Sequence, residues 1–286
     1  MFTESRANIL DVKQEPKESN PFHHLDAHII LMIDQISQTT HRDKKTQQPL
    51  SKEIQIDHEH LLKQSGRTTA SEFIQQFGLE YLNIPSPETT IAKRTVFHGC
   101  IIVELDSKST FDQTFGFKQD ETITGLYHFR PKHKDVRLFN RIIITYSQPA
   151  ESMEKTVLHE YVHFLNQTYL PSPESNRDAF EYTDLETAQF FHDVMDELAA
   201  YANEGKIETK TAHLIPMHMS IDGLKSTKNP DLQKAVETWR DVRKQLLTLK
   251  EIAFEPTETL VSVFLTATSF EQLRKQLANL ITTSVE

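Results

Sequence analysis

With 286 residues, 37% of them hydrophobic and 25% charged, the chain can bury one large core or two small ones. Its 41 acidic against 31 basic residues give a formal net charge of −10, a poor surface for general nucleic-acid binding. Only 7 glycines argue against a turn-dense all-β design and against a Gly-rich phosphate loop, and the longest apolar runs are far too short to span a membrane.

Residues 1–21 are polar, carry Pro16 and Pro21, and read as a disordered tail without the apolar stretch of an ordinary signal peptide. The single cysteine, Cys100, cannot form an intramolecular disulfide and sits in an apolar run, so it reads as a small core residue. These two features lead us to expect a cytoplasmic protein, or one exported without an ordinary signal peptide as a secreted effector. Residues 22–90 read as a helical region. Leu25, Ile29, Met32 and Ile36 share one helix face, Thr40–Gln48 is an expected loop, and a Thr69/Glu72 capping box opens a helix over Ser71–Phe77 that stops at Gly78.

Residues 91–205 change character. Thr95–Leu105, Thr122–Arg130 and Val136–Tyr146 are rich in β-branched and aromatic residues and read as strands. Directly after them comes His159-Glu160-Tyr161-Val162-His163. On a helix, residues i and i+4 project from one face, so both imidazoles can reach one metal ion. Glu160 follows the first His, where its carboxylate can hold a water on the metal instead of the metal itself. From Thr156 to Leu165 there is no charge except Glu160, and no Pro or Gly, as suits a buried helix whose ligands must not compete with a nearby cation.

This stretch resembles the zincin metallopeptidases, whose extended signature has Thr or Val three positions before the first His and uncharged residues around it; Thr156, Tyr161, Val162, Phe164 and Leu165 fit. Such a Zn²⁺ site needs a third protein ligand and one open position. The metzincin arrangement is absent, because Asn166 stands where Gly is required and Tyr169 where His is required. A Glu on a following helix is the other solution. Thr183 with Glu186 makes a capping box, Gly205 is placed to end the helix, and Phe190, Val194, Glu197 and Tyr201 form one stripe. A lone carboxylate on an apolar stripe is costly unless a cation meets it, so Glu197 is the expected third ligand. Asp193, Asp196, Gln189 and Asn203 fall on the expected polar face. Glu197-Leu-Ala-Ala200 is similar to the Glu-x-x-Ala pattern of gluzincins, the zincins with a Glu third ligand. Those enzymes often place Asp four residues later to orient the first His; here Tyr201 stands there, which leaves the partner of His159 unassigned.

Residues 206–286 return to helix. Asn229-Pro230 starts one with Ala235, Trp239, Val242, Leu246 and Leu249 as its stripe, and Ser269 with Gln272 caps a last one carrying Leu273, Leu277 and Leu280. Tyr201, His213 and His218 are candidates to stabilise the oxyanion that forms on a scissile carbonyl. The remaining histidines are scattered and read as surface or strand residues.

The resemblance implies an α+β protein with a zincin-like core and extra helices at both ends. It further implies a zinc metallopeptidase acting on a protein or peptide substrate, with His159, His163 and Glu197 as metal ligands and Glu160 as general base. The substrate is expected as an extended peptide along a sheet edge, with the Arg141–Tyr146 strand as candidate. The alternative is a non-catalytic helical interaction protein whose metal site is degenerate or only structural.

Overall fold

The computed structural model describes residues 22–37, 91–118, 123–128, 142–170, 172–174, 177–204, 227–251 and 257–285. In chain order these form α1 (Asp26–Ser37), β1 (Ile91–Phe97), β2 (Cys100–Leu105), α2 (Lys108–Phe115), β3 (Gly125–His128), β4 (Ile142–Tyr146), α3 (Ala150–Tyr169), α4 (Leu185–Asn203), α5 (Pro230–Glu251), α6 (Thr257–Thr266) and α7 (Phe270–Val285). Among the described residues the protein is therefore mixed α+β, with seven α-helices and one four-stranded sheet. None of these helices is long and apolar enough to cross a membrane. The expected tail over 1–21, the Thr40–Gln48 loop and the Ser71–Phe77 helix lie outside the described residues.

The sheet runs β1-β2-β4-β3, with β2 and β4 parallel and both outer strands antiparallel to their neighbours. The expected strand over Thr95–Leu105 is instead a hairpin. His98 and Gly99 form its two-residue turn with φ of 41° and 81°, the backbone shape whose twist matches antiparallel strands. A His in the left-handed region is uncommon; here its carbonyl accepts a 3.1 Å hydrogen bond from the Tyr161 hydroxyl on α3. The strand expected over Thr122–Arg130 is described as a shorter one, Gly125–His128, and residues 136–141 of the next lie outside the described set.

Alternation sorts the strand residues onto two faces. Ile101, Val103, Leu105, Ile142 and Ile144 pack with Phe111 of α2 on one side. That helix carries no apolar run that announces it; Ser107 caps it by accepting from Thr110 N–H, and Gly116 at φ 72° ends it. Phe97, Cys100, Ile102, Tyr127 and Ile143 face the other way, into the main core shared with the remaining helices. Cys100 is fully buried there, as expected.

In that core Ile29 and Met32 of α1 are buried and Leu25 packs against them, while the Ile36 side chain is outside the described set. The whole α5 stripe, Ala235 to Leu249, is buried, and Asn229 starts the helix by accepting from the backbone N–H of Asp231 and Leu232. Ser269 caps α7 through Gln272 N–H, and Leu273 and Leu277 are buried, with Leu280 packed beside them.

The start of α4 departs from the expected capping box. Asp184 is the cap, accepting from Thr187 N–H at 2.8 Å, while Thr183 bonds Asp231 and Glu186 accepts from Asn229. The carboxylate one residue later reaches the free N–H groups of the first turn and leaves Thr183 to tie α4 to α5.

Candidate metal centre

Helix α3 buries Val157, Tyr161, Phe164 and Leu165 against the sheet and its neighbours. The same winding leaves His159 and His163 half-buried, side by side on the flank that meets α4. Their Nε2 atoms lie 3.1 Å apart. From α4, Glu197 brings Oε2 to 3.8 Å of His159 Nε2 and Oε1 to 3.9 Å of His163 Nε2. One ligand atom from each residue falls within 4.8 Å of the others, as metal-ligating groups would. In a tetrahedral zinc site with bonds of about 2.0–2.1 Å the ligand atoms stand about 3.3 Å apart. The two imidazoles already meet that spacing, and the carboxylate stands farther off, with a different oxygen nearest each ring. Two imidazoles and one carboxylate are a donor set suited to Zn²⁺. The Glu197 side chain keeps 32% of its surface exposed, so the centre opens to solvent on that side.

Glu160 is buried, and Tyr127 N–H of β3 donates to its Oε2 at 2.6 Å. Burial pushes the Glu160 carboxyl up from its usual range; His159 and His163 work against that shift, and Glu197 adds to it. Strand β3 can come this close because residue 125 is Gly. A Cβ there would lie 2.4 Å from Thr156 Cγ2 and 3.1 Å from Glu160 Cγ and Oε1. Strand β4, expected to offer the free edge, is paired on both sides, with β2 and with β3. Among the described strands the outer one beside the centre is β3. The β4 expectation failed because the richest β-branched run belongs to a strand buried between neighbours, as an interior strand should.

The outward nitrogen of each imidazole faces an acid, one on α4 and one at its C-cap. Asp196 Oδ2 lies 2.9 Å from His163 Nδ1, and Glu204 Oε1 lies 2.5 Å from His159 Nδ1. The second contact has ion-pair distance but not the alignment of a hydrogen bond. Burial alone would lower the His163 pKa, but Asp196 overrides it and pushes it to about 10. Burial likewise opposes the charge on Asp196, and His163 holds that carboxyl down at about 2.

Asp196 and Asn203 are thus not on a polar face, as their pattern suggested; both are buried. Asn203 donates to the Leu158 carbonyl at 2.8 Å and pairs with His28 Nε2 of α1 at 2.7 Å. Gln189 and Asp193 are half-buried and bond each other. For Glu204 a signal was present. Glu197, Tyr201 and Glu204 fall at i, i+4 and i+7, so extending the stripe by one step reaches it. Asp196 carried no such signal, because its partner lies on another helix.

Of the three residues considered for an oxyanion, Tyr201 stands next to the centre, its ring 4.8 Å from that of His159 at 66°. Burial raises its phenol pKa, and the charges of Glu197, Glu204 and Glu160 raise it further. His213 and His218 lie outside the described residues, as does Gly205; α4 ends at Asn203. Comparison of the chain with protein-family models, with curated proteins and with solved structures returned no match.

Proposed function

We propose that the protein is a zinc-dependent metallopeptidase of the zincin type, with the Glu third ligand of the gluzincins. The observation that carries this reading is the convergence of His159, His163 and Glu197 with a buried Glu160 carboxylate beside them, held by Tyr127 N–H. His159, His163 and Glu197 would hold the ion. A bound Zn²⁺ would supply Lewis-acid chemistry, making a water acidic and polarising the scissile carbonyl.

The chain's own residues do the rest. Glu160 accepts the proton of the attacking water and returns it to the leaving amine, and burial, by raising its carboxyl pKa, makes it a better base than an exposed carboxylate. Tyr127 N–H fixes one carboxylate oxygen and leaves the other for that work. Strand β3, outermost of the described strands, would receive an extended peptide along its rim as a further strand. The Tyr201 phenol, whose ring lies against that of His159, would donate to the developing oxyanion.

The test separates metal binding from chemistry. Gln at 160 can still accept from Tyr127 N–H but cannot take a proton, so Glu160→Gln should keep its fold and zinc content. Its cleavage of casein or of a quenched-fluorescent peptide library should drop by about 10²–10⁴-fold. His163→Ala should lose zinc and cleavage together. Wild-type turnover by Glu160→Gln sinks the water-activation mechanism. A wild-type protein that folds fully yet takes up no zinc sinks the metallopeptidase reading.

A further inference from the structure

The His159 side of the centre is built differently from the pattern that its neighbourhood resembles, because Tyr201 stands where an orienting acid is common. An imidazole left to itself can turn about its last torsion and present either nitrogen. Something must decide which one faces Glu197 and His163.

The end of α4 supplies a fixed acid. The last residue of α4 and the one that caps it meet two successive residues of α3: Asn203 bonds the Leu158 carbonyl, and Glu204 meets His159 Nδ1. Asn203 is held from behind by His28 of α1. The Glu204 side chain keeps only 8% of its surface exposed, although it stands just past the last turn of the helix, where acids are not favoured by the helix dipole. A carboxylate placed against the dipole and out of water needs compensation; Lys155 of α3 adds to it electrostatically, and Oε1 touches the outward nitrogen of His159.

We infer that Glu204 is a positioning residue of the metal centre, holding the His159 ring so that Nδ1 keeps its proton and Nε2 faces the metal. It thereby does for His159 what Asp196 does for His163. This rests on the metal reading above. Orienting acids of this kind usually contribute about 10–100-fold to metal affinity.

The experiment is zinc titration of the full-length apo chain in competition with a chromophoric chelator, paired with the visible spectrum of the Co²⁺-loaded protein. Glu204→Gln should bind Zn²⁺ about 10–100-fold more weakly than wild type and shift the Co²⁺ bands, while its apo melting point stays close to wild type. If Glu204→Gln binds zinc with wild-type affinity and an unchanged Co²⁺ spectrum, the inference is overturned and the metal reading stands. If wild type itself binds no zinc, the metal reading falls and takes this inference with it. Should Glu204→Gln fail to fold, the ¹⁵N-histidine spectrum of zinc-loaded wild type decides. A His159 Nδ1 proton protected from exchange supports the assignment, and a rapidly exchanging one overturns it.

Discussion

Asp196 and His163 hold opposite charges in a buried place, and that arrangement makes the metal-free protein sensitive to pH. The His163 pKa is raised from 6.5 to about 10, so its contribution to stability is complete below about 6.5 and is lost as pH climbs towards 10. The Asp196 pKa is lowered from 3.8 to about 2, so its contribution is complete above about 3.8 and is lost as pH falls through 2. The pair therefore stabilises the apo protein most between about pH 4 and 6.5. In chelator-treated samples, the melting-point difference between wild type and Asp196→Asn should be largest near pH 5–6 and shrink towards pH 10; a difference that grows with pH would contradict the pairing. Because imidazole must be neutral to bind a metal, zinc should displace about one proton at pH 7. Calorimetric titration in buffers of different ionisation enthalpy measures that release, and an enthalpy independent of buffer would mean that His163 is already neutral.

Among the elements, β3 contributes most to the site for its length. Gly125 lets it lie against α3, and Tyr127 N–H holds Glu160. Gly125→Ala should crowd Thr156 Cγ2 and cost about 1–3 kcal/mol of stability by urea unfolding. Thr156→Ser removes the crowding methyl, so the double variant should regain much of that loss; additive losses in a double-mutant cycle would place the strain elsewhere. The sequence could not announce this role. A four-residue strand is too short to show a period, and a glycine inside it is ambiguous between a turn and a close approach. The hairpin at His98–Gly99 was hidden for a related reason, since His-Gly lacks the Asn or Asp that usually marks such a turn. The long stripes of α5 and α7 and the i, i+4 pair of α3 were legible, because each repeats one helical spacing several times or carries costly residue types at it. Asp196 was not, since a hydrogen bond between helices leaves no trace in the spacing of either one.

On the scale of the molecule, α4 stands in the middle of the helical layer. It packs against α3, α5 and α6, and 13 of its 19 residues are buried. The helix that carries Glu197 therefore cannot leave the centre without opening the core, and metal binding should be felt by the fold as a whole. Zinc at a hundred times its dissociation constant should add about 2.7 kcal/mol to global stability, read as an upward shift of one cooperative unfolding transition. A shift confined to a minor early transition would show that the centre melts by itself. The orienting acids and the ligands come from α3 and α4 alone: His159 and His163 from one, Asp196, Glu197 and the flanking Glu204 from the other. No loop of the described protein contributes a ligand, which makes the centre portable. Those five side chains, copied at the same offsets onto any two helices packed in the same way, are a compact blueprint for installing a transition-metal site in a designed bundle, with Glu160 and a glycine-bearing strand as the parts to add when a reaction is wanted.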